Sequence, residues 1–115
     1  MAQTSREHYH ADAAVVWCFD ARFAPALQDM QKKLSLKKID LICVGGGAKH
    51  LASPAKAEYR NFILDQIGVS VKLHGTKRLI LMTHSDCGAY GGMEAFSYKE
   101  ETEFQKHEKE LQTAK

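Results

Sequence analysis

Several features that would each indicate a particular class of protein are missing from this sequence of 115 residues. No apolar run is long enough to cross a membrane, and the first dozen residues are polar, so we expect neither a membrane protein nor a secretory signal. The formal net charge is only +2 and the basic residues are scattered among acidic ones, which argues against a nucleic-acid partner. Repeats, low-complexity tracts and internal linkers are also missing. We therefore expect a single domain over residues 1–115, located in the cytoplasm.

Cysteine is scarce as well. The chain has three cysteines, an odd number that fits a disulfide framework poorly and a reducing compartment well. In such a compartment, cysteines that lie near histidine and aspartate are candidates for metal binding or nucleophilic catalysis. The cysteines and their neighbours are therefore the first candidates for functional residues.

Three short apolar runs alternate with helical patterns along the chain. The runs 13–19, 39–44 and 78–83 have the length and continuous hydrophobicity of strands that are covered on both faces. Alternating strands and helices indicate an α/β fold with a parallel sheet. We expect a three-layer αβα, Rossmann-like domain whose small parallel sheet has the strand order 2-1-3. In such sheets, binding sites form at the carboxyl ends of the strands.

The helical segments have recognisable ends. Pro25 suits the first turn of a helix after the first strand, and Ser53-Pro54 predicts the N-cap and first turn of the next helix, which His74-Gly75 should close. Residues 1–12 form a predicted N-terminal arm, and residues 99–115 a charged C-terminal helix on the surface. One face of the helix before Gly75 is predicted to be apolar, and it comprises Tyr59, Phe62, Ile63, Ile67 and Val71.

Two polar clusters follow the first and third predicted strands. Cys18 ends the first strand, and His84 and Cys87 lie three residues apart just after the third. If these strands are neighbours, both clusters open onto one crevice. Two thiolates and one imidazole suit tetrahedral zinc, and three protein ligands leave a fourth position open for water, as in catalytic sites. The sequence therefore predicts a Zn²⁺ site on Cys18, His84 and Cys87.

Asp20 and Arg22 extend this site at alternating positions after Cys18. Arg22 can hold the Asp20 carboxylate through a bidentate pair, so that Asp20 stays ionised and can accept a hydrogen bond from zinc-bound water. We predict that metal-bound hydroxide attacks a small electrophilic carbon such as that of carbon dioxide, with Asp20 and Arg22 as catalytic residues. Gly88 is a candidate for close backbone approach to the substrate.

The pattern Cys-x-Asp-x-Arg, followed by His-x-x-Cys-Gly, resembles the zinc signature of the β-carbonic anhydrases, and the stretch HSDCGA is similar to what that family carries at this place. The resemblance covers residues 13–96 and marks the chain as a short member. It implies zinc on the three ligands named above, an Asp20–Arg22 dyad, and reversible hydration of carbon dioxide to bicarbonate. It also implies a homodimer or a dimer of dimers.

The sequence departs from that family after the second strand, where an Arg-x-Ala-Gly-Asn type sequence is replaced by Val44-Gly45-Gly46-Gly47-Ala48. We interpret the three glycines as a turn that allows close backbone approach, because they lack the spacing of a phosphate-binding loop. We expect Cys43 to lie in the core. Two alternatives remain: a hydrolase of carbon disulfide or carbonyl sulfide on the same fold, or a non-catalytic zinc module in which Asp20 is the fourth ligand.

Overall fold

A parallel sheet of three strands organises the computed structural model, which describes all of residues 1–115. The strands are β1 (Ala13–Trp17), β2 (Ile39–Cys43) and β3 (Leu79–Leu81). The helices are α1 (Ala24–Lys33), α2 (Lys49–Ala52), α3 (Ala57–His74) and α4 (Glu100–Ala114). Short 3-10 turns occur at Ala21–Phe23, Gly88–Tyr90 and Met93–Phe96.

The sheet has the order β2-β1-β3, with β1 in the middle and both neighbours parallel to it. One face of β1 presents Val15, which packs in a cluster with α1. The opposite face presents Val16, which packs with Leu51 of α2 and Ile63 of α3. All five residues of β1 are buried, because helices cover both of its faces. The predicted three-layer α/β fold and its strand order are confirmed.

The start of α3 differs from the prediction. Ser53 does not cap this helix but follows the last residue of α2, and α3 begins at Ala57 after Lys56. The Ser53 hydroxyl donates instead to the Glu110 carboxylate on α4, so it is not available to cap α3. The predicted end is confirmed, since α3 stops at His74 and Gly75 takes the left-handed conformation with φ of +61°.

The predicted apolar face of α3 is only partly buried. Ile63 is 2% exposed, but Phe62 and Val71 are 58% and 50% exposed. Ile67 packs at the margin of the same core. A sheet of three strands is too narrow to cover more than one stripe of an 18-residue helix, so the remaining apolar side chains of α3 face outward.

The expected core position of Cys43 is wrong, because its side chain is exposed. Cys43 lies opposite Trp17 in the sheet, but on the edge strand β2. The cluster that involves α1 is centred on β1, and from β2 it includes only Ile39, at the other end of the strand from Cys43. A strand-length apolar run in the sequence does not reveal which strand will be at an edge.

Helix α4 buries polar rather than apolar side chains. Glu103, His107 and Glu110 are all less than 9% exposed, whereas Phe104 is 67% exposed. These three buried residues recur at spacings of four and three, so they share one helix face. The charged tail is therefore not a fully solvated helix, since its polar face packs against the rest of the domain.

The N-terminal arm has no regular secondary structure up to Asp12. It is attached near the start of β2, where the Tyr9 hydroxyl donates to Asp40 Oδ1 over 2.6 Å. None of the helices combines the length and the apolar character that a membrane crossing would require.

Candidate metal centre

The three predicted ligands meet at the carboxyl edge of the sheet. Cys18 directly follows β1, and His84 and Cys87 lie in the loop after β3, where parallel neighbours bring the two strand ends together. One sulfur or nitrogen atom from each residue lies within 4.8 Å of the other two. Some point in space is then within about 2.8 Å (4.8 Å divided by √3) of all three atoms, so shifts below 1 Å would reach zinc distances of about 2.0–2.3 Å.

The imidazole of His84 is oriented for metal binding. Its Nδ1–H donates to the backbone carbonyl of Ser85 over 2.6 Å, which leaves Nε2 as the nitrogen with a free lone pair. Nε2 is buried and has no hydrogen-bond partner. The ring is held between Phe23, stacked at 4.3 Å, and the edge contact with Trp17 at 5.6 Å. A buried nitrogen without a partner is costly unless a ligand fills the place beside it.

The two thiols complete the donor set. Cys18 is 6% exposed and Cys87 is 3% exposed. Burial raises the pKa of the Cys87 thiol, and the nearby Cys18 raises it further. A pair of buried thiolates therefore requires a compensating cation. With one imidazole, they form a soft nitrogen and sulfur site that fits Zn²⁺.

The triglycine turn closes the site from the β2 side. The N–H of Gly46 donates to Cys18 Sγ over 3.4 Å. Gly46 has φ of +92°, and a Cβ there would lie 2.9 Å from the Cβ of Ala89 in the loop after β3. A Cβ on Gly47 would lie 2.6 Å from the carbonyl oxygen of Met82. The interpretation of these glycines as a turn for close backbone approach is confirmed.

Asp20 and Arg22 form a multiply bonded ion pair beside the three ligands. The Arg22 guanidinium donates from Nη2 to Asp20 Oδ2 over 2.7 Å and from Nε to Oδ1 over 3.1 Å. The backbone N–H of Arg22 donates to Oδ1 as well. These bonds lower the pKa of Asp20 to about 2 and raise that of Arg22, so both groups are charged at neutral pH. Asp20 Oδ2 lies 4.0 Å from His84 Nε2, close enough for the carboxylate to reach the metal position after a small movement.

Asp86 was missed as a site residue, because an aspartate before Cys-Gly is also typical of a turn. Its Oδ2 accepts from Nη1 of Arg22 over 2.9 Å, and its backbone carbonyl accepts from Nη2 over 3.1 Å. The other carboxylate oxygen accepts from the N–H of Met93. These hydrogen bonds lower the pKa of Asp86, with Met93 as the largest cause. Arg22 is therefore held by two carboxylates at once.

A groove of about 800 Å³ lies beside His84, between the loop after β3 and α4. Its lining includes Phe104, the mostly buried Glu103, and His107, whose ring nitrogens are buried without hydrogen-bond partners. Burial lowers the pKa of His107 and favours its neutral form. Gly88 lies outside this lining, and a Cβ there would meet no atom within 4 Å, so the local packing leaves free space at the predicted substrate-approach position.

Comparison with known proteins identifies the family. The sequence pattern of the family described as "Putative carbonic anhydrase" matches residues 9–115, and the chain belongs to that family. An uncharacterized protein of Rickettsia bellii (strain RML369-C) is 27% identical over 93 residues, which is 76% of this chain and 57% of the relative. An uncharacterized protein of Rickettsia conorii (strain ATCC VR-613 / Malish 7) is 26% identical over 106 residues, 85% of this chain and 57% of the relative.

The chain thus spans a little over half the length of these two relatives. No solved structure matches it. The family and the Cys-His-Cys cluster agree on a protein with a potential metal site.

Proposed function

We propose that this protein is a zinc-dependent carbonic anhydrase that reversibly hydrates carbon dioxide to bicarbonate. One observation carries the proposal: two buried sulfurs and the unpartnered Nε2 of His84 converge on one point, with an ionised carboxylate 4.0 Å from that nitrogen. A purely structural site would need a fourth ligand from the protein. Here the Asp20 carboxylate, which lies beside the cluster, is instead bonded to Arg22.

Cys18, His84 and Cys87 would hold the ion, and zinc would supply a nucleophile near neutral pH by acidifying a water molecule. The residues of the chain supply the rest. Asp20 accepts a hydrogen bond from the nucleophile and orients it toward the carbon of the substrate. Arg22 keeps Asp20 ionised and off the metal.

Metal analysis and stopped-flow carbon dioxide hydration test this proposal. The purified protein should contain about one zinc per chain, and Cys87→Ser should lose it, because removing one of three ligands opens the site. Asp20→Ala should retain zinc but lose about a hundredfold or more in hydration rate, on the scale of general acid–base contributions. Asp65→Ala, an exposed position on α3, is the matched control and should keep wild-type activity. Unchanged hydration by Asp20→Ala would refute the role of Asp20.

A second candidate function is a non-catalytic zinc module closed by Asp20. The 4.0 Å distance between Asp20 Oδ2 and His84 Nε2 supports it, because the carboxylate needs only a small movement to become the fourth ligand. The dependence of activity on pH separates the two functions. A gated enzyme gains activity as the pH rises and Asp20 leaves the metal, whereas a closed module is inactive at every pH. Product analysis with carbonyl sulfide in the same assay would reveal the related hydrolase activity.

We also propose that the protein is a homodimer that functions in the cytoplasm. Phe62, Val69 and Leu73 lie on one face of α3, and all are at least 48% exposed. Val69 and Leu73 line a shallow pocket together with Leu41 of the edge strand β2, which is 43% exposed. Contiguous exposed apolar side chains of this kind are typical of interaction surfaces. Light scattering should give twice the monomer mass, and Phe62→Glu should yield monomers. The free cysteines suit a reducing compartment, where both thiol ligands stay available.

A further inference from the structure

We infer that Asp86 and Glu103 are positioning residues, which hold Arg22 in the orientation that keeps the Asp20 carboxylate away from the metal position. This inference rests on the proposed function and extends it, because it adds to the Asp20–Arg22 pair the residues that control it. The chain of contacts runs from helix α4 through the loop after β3 to Arg22.

The donors of the Arg22 guanidinium are divided between two partners. Nε and Nη2 face the Asp20 carboxylate, and Nη1 donates to Asp86 Oδ2 over 2.9 Å. Nη2 also donates to the backbone carbonyl of Asp86 over 3.1 Å. An arginine side chain that is 57% exposed would otherwise sample many rotamers. Contacts on two edges of the planar group determine its orientation, so Asp20 meets a preorganised partner.

Asp86 is itself held in an uncommon conformation. Its φ is +52°, in the left-handed region, and its Oδ1 accepts from the N–H of Met93 over 2.8 Å. The backbone N–H of Asp86 donates to Glu103 Oε2 over 2.9 Å. Glu103 is only 3% exposed, so α4 presents a mostly buried carboxylate to the backbone of this loop. The position of α4 thereby determines where the Asp86 side chain lies.

The physical consequence is a bias between two positions of Asp20. When Asp20 remains on Arg22, an added ligand can take the fourth metal position, and when Asp20 moves to the metal, that position is blocked. The apparent affinity for such a ligand equals its intrinsic affinity multiplied by the fraction of molecules in the accessible form. Loosening Arg22 through Asp86 or Glu103 should therefore weaken ligand binding without altering any metal ligand.

The test uses the full chain loaded with Co²⁺ and titrated with azide, whose binding changes the visible absorption spectrum of the metal. Asp86→Ala should raise the apparent dissociation constant for azide by up to about threefold, the scale of an exposed ion pair. Glu103→Ala should act in the same direction. Glu103→Gln, which keeps an oxygen acceptor for the N–H of Asp86, should restore most of the wild-type affinity.

The decisive comparison repeats Asp86→Ala in an Asp20→Ala background. Without Asp20 there is no carboxylate to block the metal, so the second substitution should leave azide affinity unchanged. An equal loss of affinity in both backgrounds, or no loss in either, would overturn the inference. Failure of the wild-type protein to take up Co²⁺ would instead overturn the proposed function and this inference with it. Asp86→Asn provides a milder variant, should the loop not tolerate alanine.

Discussion

The triglycine turn gives the sharpest prediction about how the site is built. Replacing Gly47 with alanine adds a methyl group whose carbon would lie 2.6 Å from the carbonyl oxygen of Met82 and 3.1 Å from the backbone nitrogen of Cys18. Both neighbours are backbone atoms, so no side-chain rotation relieves the overlap. Overpacking of this kind costs about 1–3 kcal/mol. The left-handed φ of +54° adds about 1–2 kcal/mol for a residue with a Cβ.

We therefore expect Gly47→Ala to lower the free energy of unfolding by about 2–5 kcal/mol, the sum of these two costs. Urea unfolding followed by circular dichroism measures this directly. The zinc content of the variant should fall as well, because the strained contact bears on the backbone of the proposed ligand Cys18. Both effects have one cause, the approach of the turn to the ends of β1 and β3.

Gly68→Ala is the matched control. Gly68 lies inside α3, and a Cβ there would meet no atom within 4 Å. Because alanine favours helix over glycine, this variant should be about 1 kcal/mol more stable than the wild type. If Gly47→Ala were as stable as the wild type while Gly68→Ala behaved as expected, the close approach of the turn to Met82 would be refuted.

Three further predictions concern the core, the metal and the ion pair. Ile63→Ala should lower the free energy of unfolding by about 2–5 kcal/mol, and Leu34→Ala at an exposed position by less than about 1 kcal/mol, in urea unfolding. Zinc at a thousandfold excess over its dissociation constant should add about 4 kcal/mol, measured by thermal unfolding, and chelation or Cys87→Ser should abolish this gain. Because Arg22 lowers the pKa of Asp20 to about 2, the pair should stabilise the fold above the ordinary carboxyl pKa of about 4 and lose this effect as the pH falls toward 2. The stability difference between wild type and Asp20→Asn should shrink over that range; a constant difference would contradict the assignment.

The layers of the fold could be predicted because they depend on local patterns. Continuous apolar runs define the three strands, and Gly75 marks the end of α3 through its freedom to adopt a positive φ. The Cys-His-Cys cluster was also predictable, since parallel neighbouring strands must bring residues after their carboxyl ends to one edge. The strand order was therefore enough to predict that Cys18, His84 and Cys87 lie close together.

The errors have a common physical origin in partners that are distant along the chain. Ser53 has the chemistry of an N-cap, but its hydroxyl bonds to Glu110 on α4. Cys43 lies in an apolar strand, yet the strand is at an edge and the side chain is exposed. Asp86 resembles a turn residue and in fact also bonds to Arg22. In each case the outcome depends on how segments far apart in the sequence are arranged, which no local pattern reveals.

Sequence alone determined the alternation of strands and helices and the chemical nature of the donor set, because hydrophobic period and residue type are local properties. Tertiary structure alone decided that the polar face of α4 packs inward, that Glu103 meets the backbone of Asp86, and that Arg22 is shared between two carboxylates. Packing inward stabilises a charged helix only where buried hydrogen-bond donors lie opposite its carboxylates. Those donors take up their positions only once the chain has folded.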